Sequence, residues 1–152
     1  MPPIKLSTFV ASAVLLLAAL PVVAHTTVTD AWVRGTVAKQ GASGAFMHIR
    51  NTHGARLVAV ESSAAGVVQI HQMAMQGDTM RMHAVPGLDL PKDQEVELKP
   101  GGYHIMLMDL KARLKPGDTV ELTLVVEGHD GKRERVTVKA PVRPLGSVAP
   151  AR

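Results

Sequence analysis

The chain has 152 residues, of which 46% are hydrophobic and 20% charged, and its net charge is +4. Its 17 Lys and Arg residues are scattered among 13 Asp and Glu residues, which excludes the basic stripe of a nucleic-acid-binding protein. There is no cysteine, so the sequence contains no disulfide framework and no acceptor for lipoprotein-type acylation.

Residues 1–24 are predicted to be a cleaved export signal. Lys5 precedes an apolar run from Phe9 to Leu20, and Val22 and Ala24 occupy the small-residue positions of a signal-peptidase site. The apolar run is shorter than the roughly 20 residues that a membrane-spanning helix needs. We therefore expect a soluble periplasmic protein that is not inserted in the membrane after cleavage.

The remaining chain is rich in β-forming residues, with Gly- and Pro-containing breakers about every ten residues. The predicted strands are Thr29–Thr36, Gly44–Asn51, Leu57–Ser62, Val67–Met75, Thr79–Val85, Glu95–Leu98, Tyr103–Leu110, Thr119–Val126 and Arg133–Val138. Strands of this length and spacing predict an all-β antiparallel sandwich or barrel with Greek-key links. We place this single domain at residues 25–140 and expect a flexible tail at residues 141–152.

One predicted hairpin turns at the two residues Gly77-Asp78. In this register the numbers of opposed residues sum to 155, so Met73 faces Met82. His71 and Met82 then lie diagonally across the pair, with backbones roughly 7 to 8 Å apart, which long side chains can bridge. One face of the hairpin carries His71, Met73, Met75, Met80 and Met82.

The segment Tyr103–Leu110 is apolar on both faces, which predicts a central strand. His104, Met106 and Met108 share one of its faces, and we expect this row to pack against the hairpin's row at one end of the sandwich. The predicted metal ligands are His71, Met82, His104 and Met106. Imidazole and thioether donors suit copper(I), because methionine sulfur is a soft ligand that binds hard cations poorly.

Alternative roles remain for several of these residues. Methionine commonly fills gaps in a core, so Met73, Met75, Met80 and Met108 fit a hydrophobic surround as well as they fit a ligand set. Cleavage after Ala24 would make His25 the first residue, whose amine and ring could chelate copper(II). His48 and His83 are interpreted as surface residues, and Trp32 and Phe46 as core anchors.

The sequence resembles the periplasmic copper chaperones called PCu(A)C over nearly the whole chain beyond the signal. The matching segments are Asp30–Arg34, Gly44–Met47, Val68–Met73, Met80–Met82 and Leu98–Met108. The family's signature of His, ten residues, Met, twenty-one residues, His-x-Met is matched without a gap. The resemblance implies a cupredoxin-like β-sandwich that binds copper(I) through His71, Met82, His104 and Met106.

The same resemblance implies delivery of copper to the dinuclear copper centre of cytochrome c oxidase subunit II, alone or together with a thioredoxin-like copper chaperone. Some family members have a His- and Met-rich C-terminal extension for a second copper ion, which the end of this chain, Arg143–Arg152, does not match.

Three other functions compete with a copper(I) carrier. A protein of general copper buffering or resistance would bind the ion without delivering it. A copper enzyme with an N-terminal His would need a flat aromatic substrate surface, yet the chain has one Trp and one Tyr, so we expect no enzyme. A metal-free β-sandwich interaction module would use the methionines as core. Blue-copper electron transfer is excluded because its centre requires a cysteine thiolate.

Overall fold

The computed structural model describes residues 24–148. The predicted export signal, apart from Ala24, and the last four residues of the predicted tail lie outside the described residues. The strands are β1 Thr26–Arg34, β2 Ala42–Asn51, β3 Ala55–Glu61, β4 Ala65–Gln76, β5 Thr79–Val85, β6 Leu88–Leu90, β7 Glu95–Leu98, β8 Tyr103–Leu110, β9 Thr119–Gly128 and β10 Arg133–Arg143. Within this part of the chain, no helix has the length and apolar character needed to span a membrane.

The strands form two layers that are joined along one edge. The first layer has the order β5-β4-β8-β2-β1, with β7 also paired to β2, and the second has the order β10-β9-β3-β6. A short parallel pairing, Val33 with Val142 and Arg34 with Arg143, connects β1 to β10. Pairings such as β4 with β8 join strands distant in sequence, which requires crossing connections. The predicted all-β, cupredoxin-like Greek-key sandwich is confirmed.

The core lies between the inward faces of the two layers. Ile105 and Leu107 of β8 and Leu122 and Leu124 of β9 are fully buried there. Because successive side chains of a strand point to opposite faces, burial of the odd-numbered residues of β8 directs His104 and Met106 to the outer face of the first layer. The core and the candidate metal ligands on β8 therefore lie on opposite faces of the same sheet.

Most predicted strands are found with similar bounds, and two differences are informative. Strand β6 was not predicted, because its three residues lie between the turn-forming prolines Pro86 and Pro91. The last strand continues to Arg143 with Val142 buried, so the predicted tail begins too early, at residue 141. Pro141 indicated an end, but it lies opposite Thr119 just before β10 changes partner from β9 to β1, and sheets tolerate proline at such irregular positions.

A bulge in β1 brings the two large aromatic residues together. The register between β1 and β2 shifts between Thr29 and Trp32, and Asp30 within this segment has a φ of 52°. The extra residue sets Trp32 directly opposite Phe46, with ring centroids 4.6 Å apart. Both rings are buried, but they lie outside the main core cluster. Their predicted role as buried core anchors is confirmed, and they pack against each other as an aromatic pair beside that cluster.

Candidate metal centre

Three adjacent strands of the first layer carry the predicted ligands. The hairpin of β4 and β5 has the predicted register, with Met73 opposite Met82, and Gly77 in its turn has a φ of 64°. On the other side of β4, strand β8 pairs so that His71 lies opposite His104. The prediction that β8 is central is confirmed, since it lies between β4 and β2.

The two rows meet through strand pairing. The row of β8 is predicted to pack against the row of the hairpin, and β4 and β8 are hydrogen-bonded neighbours, so the two rows lie side by side on the outer face of one sheet. This arrangement leaves the donors at the surface of the sandwich, where a metal ion could enter and leave without opening the core.

His104 is the most buried of the four predicted ligands, with 6% of its surface exposed. Its Nδ1 atom lies 3.2 Å from the carbonyl oxygen of Gly102. Because a carbonyl can only accept, Nδ1 carries the proton and Nε2 is left with a lone pair. That Nε2 lies 3.2 Å from the sulfur of Met82. A backbone contact of this type fixes the ring and tautomer of a metal-binding histidine.

His71 lies beside His104, with ring centroids 5.8 Å apart. Its Nε2 atom lies 2.9 Å from the side-chain oxygen of Gln69, while its Nδ1 atom is buried and has no hydrogen-bond partner. A buried polar atom without a partner is costly, and a bound cation would satisfy it. The donor set thus fits a soft metal ion at this position.

Met82 and Met106 line a shallow depression together with His104 and Met73. The depression brings together three of the four predicted ligands, and His71 adjoins it through its contact with the His104 ring. Met82 has 47% of its surface exposed and belongs to β5, which pairs only with β4 among the described strands. The set therefore combines a buried imidazole with an accessible thioether.

The other methionines of the predicted rows differ in their position relative to the depression and in their exposure. Met73 lines the depression, whereas Met75 and Met80 face each other near the hairpin tip and are 61% and 46% exposed. Met108 lies further along β8, opposite Ala42. None of the four belongs to the core cluster of buried residues.

Sequence reasoning missed Arg34 as a member of this site. Its guanidinium carbon lies 5.2 Å from the centroid of the Phe46 ring, and its side chain lines the same depression. The Phe46 ring is in turn 6.3 Å from the ring of His104. The strand register explains the position of Arg34: Gly44 lies opposite Met106, and Arg34 comes one residue beyond the pair Val33 and Ala45. The sequence carries no local signal for this pairing.

The surroundings of both histidines favour the neutral form of the ring. Burial lowers the pKa of His71 below its ordinary value of 6.5, and the neighbouring His104 and His83 lower it further. Burial also lowers the pKa of His104, where the Gly102 carbonyl opposes the shift and the charge of Arg34 adds to it. Since only a neutral imidazole nitrogen can bind a metal, these environments favour the ligand form.

The interpretation of His48 as a surface residue is wrong, whereas His83 is exposed as predicted. His48 is 9% exposed, and its Nδ1 atom lies 3.2 Å from a carboxylate oxygen of Glu95. Within residues 24–148, no three His, Cys, Asp or Glu side chains cluster so that they could hold a metal ion. A centre at His71 and His104 therefore depends on methionine sulfur.

Residues 26–142 match the protein family described as "Putative lipoprotein LpqE-like". A Leifsonia xyli subsp. xyli protein, "Putative lipoprotein Lxx21020", is 38% identical over 114 residues, which cover 73% of this chain and 66% of that protein. An uncharacterized Rickettsia prowazekii protein, RP573, is 32% identical over 126 residues, covering 78% of this chain and 69% of that protein. The chain thus spans just under two thirds of its Leifsonia relative.

Solved structures of PCuAC domains share this fold. The apo PCuAC domain from PmoF1 superposes with a TM-score of 0.65 at 27% identity, covering 80% of this chain and 95% of that domain. The copper-bound PCuAC domain from PmoF2 superposes with a TM-score of 0.64 at 25% sequence identity, covering 82% of this chain and 97% of that domain. The copper(I) form of DR1885 from Deinococcus radiodurans superposes with a TM-score of 0.58 at 29% sequence identity, covering 84% of this chain and 81% of that protein. The chain belongs to the LpqE-like family and has the cupredoxin-like fold of the PCuAC domains.

Proposed function

We propose that the protein is a periplasmic copper(I) carrier that binds one ion through His71, Met82, His104 and Met106. The observation that carries the proposal is the approach of His104 Nε2 to the Met82 sulfur, two atoms that present lone pairs to each other at 3.2 Å. The buried Nδ1 of His71, which has no hydrogen-bond partner, supports a cation at the same place. The copper-bound forms of the PmoF2 domain and of DR1885 support copper as the ion.

The donor set is suited to holding copper(I) and releasing it. Two imidazoles and two thioethers are neutral, so the complex keeps the ion's single positive charge and has no thiolate bond to break. The exposed Met82 gives an incoming ligand a place to enter, while the buried His104 holds the ion during the exchange. A partner rich in cysteine thiolates can then take the ion by stepwise ligand replacement.

The charge of Arg34 favours the lower oxidation state. Its guanidinium lines the depression with His104 and Met106, and a nearby positive charge disfavours copper(II) more than copper(I). Methionine sulfur acts in the same direction because it is a soft ligand. Both features support copper(I) as the cargo.

Export to the periplasm is part of the proposal. It is supported by the signal-like residues 1–24 and by the description of the Leifsonia relative as a lipoprotein. We propose cytochrome c oxidase subunit II, or a thioredoxin-like copper chaperone that serves it, as the acceptor. This rests on the resemblance of the signature to PCu(A)C proteins. General copper buffering, without delivery, is the second candidate, because the same exposed site would serve it.

Binding is tested by anaerobic titration of copper(I) against a chromophoric chelator. The native protein is compared with the double variant His104→Ala, Met106→Ala and with Met75→Ala, whose residue is exposed near the hairpin tip and does not line the depression. We expect the native protein and Met75→Ala each to bind one equivalent of copper(I) tightly, and the double variant to bind none. If the native protein fails to compete for copper(I), the carrier function is excluded and a metal-free interaction module is favoured.

Delivery is tested separately from binding. The copper-loaded protein is mixed anaerobically with the soluble domain of oxidase subunit II or with a thioredoxin-like copper chaperone, and copper in each partner is measured after separation. If the protein delivers copper, the ion should move to the partner protein faster than it moves to a small chelator of equal affinity. Tight binding without such transfer would favour buffering.

A further inference from the structure

The tip of the hairpin formed by β4 and β5 extends beyond the rest of the first layer. Strand β8 pairs with β4 only as far as Gln72, and the N–H of Met73 donates to the Gly102 carbonyl. From Ala74 to Gln76, β4 pairs only with β5 among the described strands. The tip is therefore a two-stranded ribbon that projects from the sheet.

Four methionines share one face of this ribbon as two directly opposed pairs. The outer pair is Met75 and Met80, and the inner pair is Met73 and Met82. The residues that flank a two-residue turn form a hydrogen-bonded pair, and the pair types alternate along the ladder. Both methionine pairs thus occupy non-hydrogen-bonded positions, where Cβ atoms are about 4.5 to 5.5 Å apart. Each pair can therefore offer two sulfurs to one ion.

The outer pair is exposed and has no part in core packing. Met75 is 61% exposed and Met80 is 46% exposed, and neither belongs to the core cluster. Alternation directs Arg81 to the opposite face of the ribbon, so the methionine face carries no charged strand residue at the tip. Thioether sulfur binds copper(I) well and hard cations poorly. The outer pair is therefore selective for a soft ion.

We propose that Met75 and Met80 form a transfer site through which copper(I) enters and leaves the centre, an inference that rests on the carrier function proposed above. The ion binds the outer pair first and then moves to the inner pair, of which Met82 is a proposed ligand. Each move forms one copper–sulfur bond as another breaks. The ion remains copper(I), and no proton moves, because thioethers are neutral. The donor or acceptor is a protein whose own copper(I) ligands reach the projecting tip.

The step from the outer pair to the centre is short. The two pairs are two residues apart along each strand, a separation of about 7 Å. Methionine has three rotatable side-chain bonds, so sulfurs of both pairs can reach an ion between them. Met73 lines the depression together with Met82 and His104. A continuous row of thioethers thus leads from the exposed tip to the buried imidazole.

The donor sets of the two places predict the direction in which the ion moves. Two thioethers alone hold copper(I) more weakly than two thioethers and two imidazoles, because each further donor adds a bond to the ion. The ion therefore passes from the tip to the centre during loading and returns only when an acceptor removes it. Met75 and Met80 then determine the rate of exchange, while the equilibrium affinity belongs to the centre.

The kinetic test compares the native protein with the double variant Met75→Leu, Met80→Leu, which removes both sulfurs and conserves the apolar volume. Met108→Leu is the matched control, because Met108 lies on the outer face of β8, opposite Ala42 and away from the tip. Copper(I) is exchanged anaerobically with a chromophoric chelator coupled to dextran, whose bulk favours the projecting tip over the depression. Loading rate, unloading rate and equilibrium affinity are measured for each protein, and thermal unfolding verifies the fold.

We expect loading and unloading of the double variant to slow by the same factor, at least about tenfold, because the centre then captures the ion from solution and not from a linked site. Its affinity should equal that of the native protein, and Met108→Leu should match the native protein throughout. Unchanged rates would overturn the proposal. A loss of affinity equal to the loss of loading rate would also overturn it, since both sulfurs would then belong to the centre itself.

A second measurement locates the ion directly. Copper(I) is diamagnetic, so the methyl groups of carbon-13-labelled methionine can be followed by NMR as copper(I) is added. Once the centre is full, further copper(I) should shift the methyl signals of Met75 and Met80 and leave that of Met108 unchanged. Unshifted signals in excess copper(I) would overturn the transfer site while tight binding of the first equivalent still supports the carrier function. Absence of any copper(I) binding by the native protein would instead overturn both.

Discussion

The Nε2 atom of His104 lies 3.2 Å from the sulfur of Met82, although the two residues are 22 positions apart in sequence and strand β4 runs between their strands. Because Nδ1 of the same ring donates to the Gly102 carbonyl, neither Nε2 nor the sulfur has a proton to share. Two lone-pair donors that converge in this way are stabilised by a cation that both can bind.

Replacing Met82 by Ala should weaken copper(I) binding without unfolding the protein. We expect at least a roughly tenfold loss of affinity, the lower end of the loss caused by removing even a residue that only supports a metal ligand. Stability should change by no more than about 0.5 kcal/mol, because Met82 is exposed on β5. Met80→Ala is the matched control, since Met80 is on the same strand, equally exposed and outside the depression. Equal affinities for the two variants would contradict the assignment of Met82.

Copper(I) binding should persist below the pH at which an ordinary histidine is protonated. Burial lowers the pKa of His71 and of His104 below 6.5, so protons compete with copper only at lower pH. The same shifts make the apo protein less stable as pH falls, because the unfolded chain takes up these protons near pH 6.5 and the folded chain only below it. Titration of the apo protein by NMR, followed at each ring, measures both values. A pKa at or above 6.5 for His104 would contradict this account.

Arg34 should influence His104 through its charge. Arg34→Gln removes a positive charge from the depression and should raise the pKa of His104, while Arg34→Lys keeps the charge and should leave that pKa low. In the copper-loaded protein, Arg34→Gln should also lower the reduction potential, since copper(II) loses an unfavourable neighbour. NMR titration and voltammetry test the two effects. If Gln and Lys variants behave alike, the guanidinium acts by packing on Phe46 and not by charge.

Gly44 should be intolerant of a side chain because of the Phe46 ring. A Cβ atom there would lie 2.9 Å from the Cζ atom of Phe46, and Gly44 is directly opposite Met106. Gly44→Ala should therefore cost about 1 to 3 kcal/mol of stability and weaken copper(I) binding. Gly41→Ala is the control, since a Cβ atom there meets nothing within 4 Å. Chemical denaturation of both variants measures the difference, and similar stabilities would show that the Phe46 ring yields freely.

The hairpin and its register could be predicted because the information is local. The two-residue turn Gly77-Asp78 between strongly patterned segments determines which residues face each other, and Met73 and Met82 are opposed as predicted. The central position of β8 was also predictable, since the strand carries apolar residues on both of its faces. In each case the signal lies within about fifteen consecutive residues.

The pairing of β4 with β8 could not be predicted in the same way. His71 and His104 are opposite each other, but the choice of neighbouring strand depends on how the whole sheet is assembled and not on any turn between them. The contribution of Arg34 was missed for the same reason, since it reaches the site through the ladder of β1, β2 and β8. His48 was misassigned because alternation along β2 gave no sign of Glu95 beside it.

The central claim is that one copper(I) ion is bound by two imidazole nitrogens and two methionine sulfurs. X-ray absorption at the copper edge of the anaerobically loaded protein, in its native form and as Met82→Ala, measures the ligand set directly. We predict a first shell with about two nitrogen and two sulfur neighbours, which loses one sulfur in the variant. A shell of nitrogen and oxygen alone, or one identical in the two proteins, would contradict the account.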